Sequence, residues 1–439
     1  MVIFIKIVQL LLSLSILVIF HEFGHFISAR IFKTRVEKFY LFFNPWFSLF
    51  KFKKGDTEYG VGWVPLGGYV KIAGMIDESM DKEQMKLPPQ PWEFRSKPAW
   101  QRLIIMLGGV TVNILLAIFI YITILSVWGE QYLPTSEVKY GITVNALGKE
   151  MGLRNGDRIL TIDNKEVEEF SAIPKQIVLE QAKTIQIIRD NKKMNISIPG
   201  GFVSKLIQSK SVDFISFRYP FEASKFVLGS AAEKAGMKLN DRIIGINDSL
   251  FPYFDEFSAA LQRYKKQSVK IVVVRSGDTL KLPVTIPAAG KIGVYRKDLS
   301  AYFKLRIKSY TILSAIPAGF TMTFEKTGDY LKSIRLLFKQ EKAYESVGGF
   351  ISIGSLFPDA WDWLTFWSWT AFLSIMLAVI NVLPIPALDG GHVIFLLYEI
   401  IFRRKPGDKF MEYAQITGMI ILFGLLIFAN LNDILKLFR

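Results

Sequence analysis

Cysteine is absent from all 439 residues, so disulfides and cysteine-ligated metals are excluded, and the redox compartment is left open. Histidine is scarce: there are three, at positions 21, 25 and 392. No RNA- or DNA-binding motif accompanies the formal charge of +15. Basic loops of a membrane protein, facing anionic lipid, account for that charge without a nucleic acid. Apolar residues are plentiful, at 51% of the chain, and the mean hydropathy is positive. The length predicts several domains, and the hydropathy predicts that some of them cross a membrane.

Four apolar stretches approach or exceed the roughly 20 residues a helix needs to cross a bilayer. They lie near Val2 to Ile31, Leu103 to Trp128, Leu364 to Leu383 and Ile416 to Leu431, with a shorter apolar piece at Val393 to Phe402. Only Lys6 is basic ahead of the first run and no small-x-small site follows it, so it reads as a retained span rather than a signal peptide. Cations crowd the segment between the first two spans, from Arg30 to Arg102, and the turn between the last two, at Arg403, Arg404, Lys405 and Lys409. The positive-inside rule makes both cytoplasmic and puts the long region from about Gly129 to Trp361 on the other side.

Within the first basic segment, "FKFKKGDTEYGVGWV" alternates around a Lys-Gly-Asp turn and predicts a hairpin, and Gly67 and Gly68 predict a bend with close backbone approach. Residues 77–91 turn polar and proline-rich, as a linker does. The long region contains a self-similar pair: "EMGLRNGDRILTIDNKEVEEF" at Glu150 and "KAGMKLNDRIIGINDSLFPYF" at Lys234. Each copy is followed by a helix pattern (173–181 and 254–264) and a β-rich string. Two copies are too few for a solenoid and read as duplicated domains.

The first span carries "HEFGH". His21 and His25 stand at i and i+4 on one helix face, so both imidazoles can reach one metal, while Glu22 is offset around the helix as a general base would be. Two nitrogens and one oxygen suit zinc, which in a catalytic site keeps a fourth position open. In a soluble helix such a pair reads as satisfied core histidines. In an apolar span, ionisable groups are costly and point to function. A third ligand has to come from another span, and "NVLPIPALDGGH" at residues 381–392 supplies Asp389. Pro384 and Pro386 break the third helix there, which is tolerated at membrane depth only beside a cavity or protein. Asp389 also reads as the cap of the following helix, and both roles are compatible, but a zinc ligand accounts better for its depth. His392 is read as a supporting group rather than a ligand.

HEFGH in the first span, together with NVLPIPALDGG in the third, resembles the site-2 protease family of intramembrane zinc metalloproteases. The likeness runs nearly the full length. "FRSKPAWQRLIIMLGGVTVN" is similar to that family's second span, "VPLGGYVKI" to its membrane re-entrant β-loop, and the Asp-Arg-Ile repeats to its tandem PDZ domains. The resemblance implies zinc held by His21, His25 and Asp389, Glu22 as base, and Asn381 on the substrate backbone or oxyanion. It gives Gly67, Gly68, Tyr69 and Val70 a place in substrate capture by β-addition; the bare alternative is that Gly-Gly is a turn. Gly109-Val110 and Gly349-Phe350 depart from the Gly-Pro the family often has there.

The fold class so implied is a polytopic α-helical membrane protein with about four spans, a membrane-associated β-hairpin or loop, and two inserted α+β PDZ-like domains. The first span and its motif occupy 1–32, the β-loop segment 33–101 and the second span 102–128. The PDZ-like domains occupy 136–199 and 225–295, with "KIGV" lining the second groove, an amphipathic connector along the membrane surface 302–360, and the last two spans 361–435. The implied setting is the bacterial inner membrane, with the PDZ-like pair outside and the active site near the cytoplasmic side. The implied substrates are single-pass membrane proteins, anti-sigma factors or signal-peptide remnants, cut after a first cleavage. The PDZ-like domains either capture a new carboxyl terminus or exclude bulky ectodomains. An inactive membrane PDZ scaffold would have no use for Glu22, and a metal transporter would show repeated halves with paired broken helices, whereas here only the third span is broken.

Overall fold

The computed structural model describes residues 2–65, 67–75, 88–209, 214–339 and 348–437; the expected linker falls outside them up to residue 87. The chain forms two compact units. One comprises residues 1–129, 309–339 and 344–439, the other chiefly residues 130–308.

The first unit holds four helices long and apolar enough to cross a membrane, within Val2–Ile31, Ala99–Val127, Trp363–Val382 and Asp408–Leu437. The first span is apolar on all sides, yet it buries one stripe: Gln9, Ser13, Leu17, His21, Gly24, His25 and Ala29. Where it crosses the second span, a Cβ at Gly24 would run into the Gly108 carbonyl, and one at Gly108 into Gly24. Small residues are what let two helix backbones approach this closely in lipid. Interhelical hydrogen bonds add to the join: Thr370 Oγ1 donates to Ser13 Oγ at 3.0 Å, and Ser374 Oγ to the Asn113 carbonyl at 2.8 Å. The third span starts with Asp362 accepting from the Thr365 N–H at 2.8 Å. It stops at Val382, ahead of Pro384 and Pro386, and the chain becomes helical again over Asp389–Phe402.

Between the first two spans lies a four-stranded sheet: β1 (Val36–Leu41), β2 (Phe50–Lys54), β3 (Thr57–Val61) and β4 (Tyr69–Ile72), in the order β2-β3-β1-β4. The Lys-Gly-Asp turn joins β2 to β3 as an antiparallel hairpin, with Gly55 in the left-handed region. β4 pairs antiparallel with β1 and closes the order, so its other side is an edge.

The described part of the expected connector over 302–360 is divided among several elements. Residues 306–308 pair with 130–132 in the second unit, whereas Ile312–Lys339 is one helix of the first unit. Ala315 and Thr323 are fully buried, and a Cβ at Gly319 would strike Ile122 of the second span. A small residue at every fourth position seats this helix on its neighbour in spite of its charges.

In the second unit each repeat has its own apolar core, centred on Ile173, Ile185 and Ile187 in one and on Ile243, Phe257 and Ile271 in the other. The helices over 172–178 and 254–263 follow the sequence pattern closely. Strand 215–217 pairs with 142–144, which carries the first repeat past residue 199, and the second begins with the strand at Phe221 rather than at 225. Non-local strand pairing moves these limits, and no turn signal reports it.

The repeated Asp-Arg-Ile frame has a structural cause. Asp157 accepts both prongs of Arg189 (2.8 and 2.7 Å) and the Arg154 N–H; Asp241 does the same with Arg275 (2.7 and 2.7 Å) and the Lys238 N–H. Each arginine also reaches a glycine carbonyl, of Gly152 or Gly236. The fork closes the loop before each central strand onto a later strand. Burial pushes the Asp241 carboxyl up, but the Arg275 guanidinium outweighs it and holds the group below the usual carboxylate range. A depressed carboxyl stabilises the fold above its unfolded-state range and loses that effect as pH falls. Arg275→Met should therefore speed hydrogen exchange across residues 242–275 of the full chain by roughly tenfold or more at neutral pH, and the gap to wild type should shrink as the solution is acidified below about pH 4.

Candidate metal centre

His21 and His25 project from the buried stripe of the first span towards Asp389, the first residue of the helix that restarts after the broken third span. His21 Nε2 and His25 Nε2 are 3.3 Å apart, and Asp389 Oδ2 lies 3.3 and 3.2 Å from them. Ligands about 2.0 Å from a tetrahedral zinc stand about 3.3 Å from one another. Among the described residues these three form the group whose atoms converge as a metal site requires.

Hydrogen bonding supports the same reading. His25 Nδ1 lies 2.9 Å from the Ile105 carbonyl, which can only accept. The proton therefore belongs on Nδ1, and Nε2 offers a lone pair. His21 Nδ1 lies 3.2 Å from the Asn113 side-chain amide, which is fully buried and has an Oδ1 without a partner. Turning the amide over gives that oxygen the Nδ1 proton of His21, and leaves a lone pair on His21 Nε2 as well. Asp389 Oδ2 is buried without a donor. Three acceptor atoms then face one another with no proton between them, an arrangement that a cation resolves.

The surroundings leave little room for error. A Cβ at Gly109 would come within 2.5 Å of His25 Nε2 and 2.6 Å of His21 Cε1. Gly390 and Gly391 let the restarted helix sit against the backbone of residues 382–386 that it has just left. Ala387 takes a left-handed φ of 82°, and its N–H is held by Gln415 Oε1 of the fourth span at 3.2 Å. Gly418 lies directly under the Pro386 carbonyl. Asn113 and Gln415 were missed by motif reading; their one signal is polarity inside apolar spans.

A cavity of about 640 Å³ opens beside the centre, lined by Glu22, Asn381 and His392 as well as the three converging residues. Asn381 Nδ2 is 3.2 Å from His21 Nε2. His392 lines the cavity but stays outside the triad. Gly67, Gly68, Tyr69 and Val70 line it too. A Cβ at Gly68 would strike Val18 and the Tyr40 carbonyl and stand 3.4 Å from Glu22 Cγ, so the close approach expected at Gly-Gly is real. The Tyr69 ring stacks on Tyr40 and Phe43, its hydroxyl donates to Asn44 at 2.9 Å, and Val70 packs into the core beside Ala29 and Ile105. The side chains of Tyr69 and Val70 are thus occupied in packing.

Asn113→Leu should weaken zinc binding by about 10–100-fold, measured by competition with a chelator in detergent. Asn113→Asp, which still accepts from Nδ1, should recover most of it. Gly109→Ala should lower zinc occupancy by displacing the imidazoles; full occupancy in that variant would contradict the packing described.

Comparison with known proteins completes the picture. The pattern of peptidase family M50 matches residues 9–425. The chain is 27% identical to the regulator of sigma E protease of Haemophilus influenzae, over 97% of this chain and 98% of that one. It is 25% identical, over 99% and 100%, to a protein of Treponema pallidum named as a candidate zinc metalloprotease, and 28% identical, over 97% and 92%, to one so named in Campylobacter jejuni. The match of sequence pattern and the converging donor set agree, and the chain belongs to peptidase family M50, the site-2 protease family of zinc metalloproteases.

Proposed function

We propose that this protease cuts single-pass membrane proteins, anti-sigma factors or signal-peptide remnants, within the membrane and after another enzyme has made a first cut. The observation that carries the proposal is an edge strand running past Glu22 in the same cavity as the metal triad. A helical substrate keeps its scissile carbonyl inside its own hydrogen bonds, so it has to be unwound and held extended. An exposed strand edge does that by main-chain pairing.

In this reading His21, His25 and Asp389 hold the zinc. When bound, zinc supplies Lewis acidity, which polarises a carbonyl and makes water easier to deprotonate. Glu22 accepts the water's proton and returns it to the leaving amine. The Asn381 amide donates to the oxygen on which negative charge develops. β4 orients the substrate backbone through the N–H and C=O groups along its outer edge, while the side chains of Tyr69 and Val70 stay packed.

The two repeats are read as PDZ-like domains of the extracytoplasmic side of a bacterial inner membrane. In the second, strand Val294–Arg296, which follows "KIG", ends its sheet and is open to a further strand, as peptide capture needs. They hold a freshly cut carboxyl terminus or act as a size filter.

Glu22→Gln should keep zinc and lose cleavage by at least about a hundredfold, since it removes the base and no ligand; a variant that still cuts at wild-type speed would end this assignment. N–H groups alternate along an edge strand, so one of Tyr69 and Val70 presents its donor outward. Proline at that position should impair cleavage far more than alanine, with zinc unchanged in both. Equal activity of the two variants would reduce the loop to a turn.

A further inference from the structure

A separate cavity of about 490 Å³ opens where the first span ends, and it shares no lining residue with the one beside the metal centre. Among the described residues Arg30, Lys33, Thr34, Arg35, Asp56 and Trp92 line it. The helix closes there through its own backbone: the Thr34 N–H reaches the Ala29 carbonyl at 2.8 Å, and the Lys33 N–H the Arg30 carbonyl at 3.0 Å. Lys33 takes the left-handed position of this closure (φ 54°), where glycine is usual. Those carbonyls are thus capped without help from the cations. A helix dipole draws positive charge to its C-terminal end, which explains cations nearby but not how these are placed. No carboxylate hydrogen-bonds any of the three among the described residues. Arg30 Nη2 donates to Thr57 Oγ1 at 2.8 Å, and Thr57 donates to the Val36 carbonyl, so that guanidinium is braced by a neutral partner. Arg35 Nη2 lies 3.8 Å from Asp56, too far for a hydrogen bond, and Arg35 Nε is buried without a partner. Thr34 is 1% exposed, and its hydroxyl is unpartnered too.

An open guanidinium edge, a buried hydroxyl and an ammonium around one cavity form the donor set that a phosphate group takes. The surroundings select a lipid as its carrier. Ile27 and Ile31, exposed and one turn apart, lead along the span towards the cavity. Trp92 in its wall is exposed, as is Trp100, which packs on Phe32 next to Lys33. Tryptophan collects at the boundary between lipid and water. We infer that this cavity binds the headgroup phosphate of an anionic membrane lipid. Arg35 grips two of its oxygens, Lys33 and Arg30 supply charge, and Thr34 supplies its hydroxyl. A choline headgroup brings a cation of its own and is disfavoured by the same side chains. The Arg35 backbone donates to the Trp92 carbonyl at 2.9 Å and accepts from the Ala73 N–H at 3.0 Å. Bound lipid therefore steadies the junction between the histidine-bearing span and the end of β4, whatever the substrate.

The test uses the full chain, stripped of lipid in a neutral detergent, with added lipid counted by native mass spectrometry. Phosphatidylglycerol should be retained about tenfold more strongly than phosphatidylcholine of the same chains. Arg35→Gln should lower its retention about tenfold and Thr34→Val, which keeps the shape and removes the hydroxyl, about threefold, with zinc content unchanged. Lys51→Gln combined with Lys53→Gln, on the exposed strand β2, should leave retention as it is. Phosphatidylglycerol should also raise the thermal midpoint of the wild type more than that of Thr34→Val. Should Arg35→Gln fail to fold, Thr34→Val decides in its place. Equal retention of the two lipids, or a loss in the β2 pair as large as in the cavity variants, reduces the effect to general surface charge and overturns the site. Inorganic phosphate at the same concentration should not displace the lipid; complete displacement would make the ligand a soluble phosphate and overturn the lipid assignment.

Discussion

Three acceptor atoms, two imidazole nitrogens and a carboxylate oxygen, are held within 3.3 Å of one another inside an apolar bundle. Lipid supplies no water to separate them, and such a cluster persists only around a cation. Much of the first unit is arranged to meet this one demand. The Gly24–Gly108 contact brings two spans close enough for the histidines to reach their target, and the missing side chain at Gly109 leaves the imidazoles their space. The proline-broken stretch after Val382 lets Asp389 arrive from a third helix, and Gln415 holds the backbone of that stretch from a fourth.

The proposed function sets a second constraint, because a membrane-spanning substrate would arrive as a helix that hides the bond to be cut. In that proposal the sheet between the first two spans would answer it with backbone rather than side chains. Tyr69 and Val70 spend their side chains on Tyr40, Phe43 and the core. A strand that ends its sheet invites unwanted pairing. Here the strand is four residues long and lines a cavity.

The second unit solves an ordinary problem twice. Asp157 with Arg189, and Asp241 with Arg275, are duplicated fasteners that close the same loop in each repeat. The repeated Asp-Arg-Ile string is a signature of folding, and any peptide-binding role falls to the strand edges instead.

The spans, the HEFGH pair, the hairpin and the duplicated frame could be read from the chain because each rests on local geometry. Transfer into lipid depends on composition over about 20 residues, residues i and i+4 share a helix face, and glycine and proline act on their own backbone. Asp389 was legible for a related reason: a charge after a helix break in an apolar span has few alternatives. Asn113 and Gln415 were not legible. Nor were the seating of Ile312–Lys339 on the second span and the extension of the first repeat to residue 217. Each depends on which helix or strand lies opposite, at separations of tens to hundreds of residues. Only the packed structure decides that, because helix crossings and strand registers emerge from the fit of whole surfaces rather than from any one segment's preference.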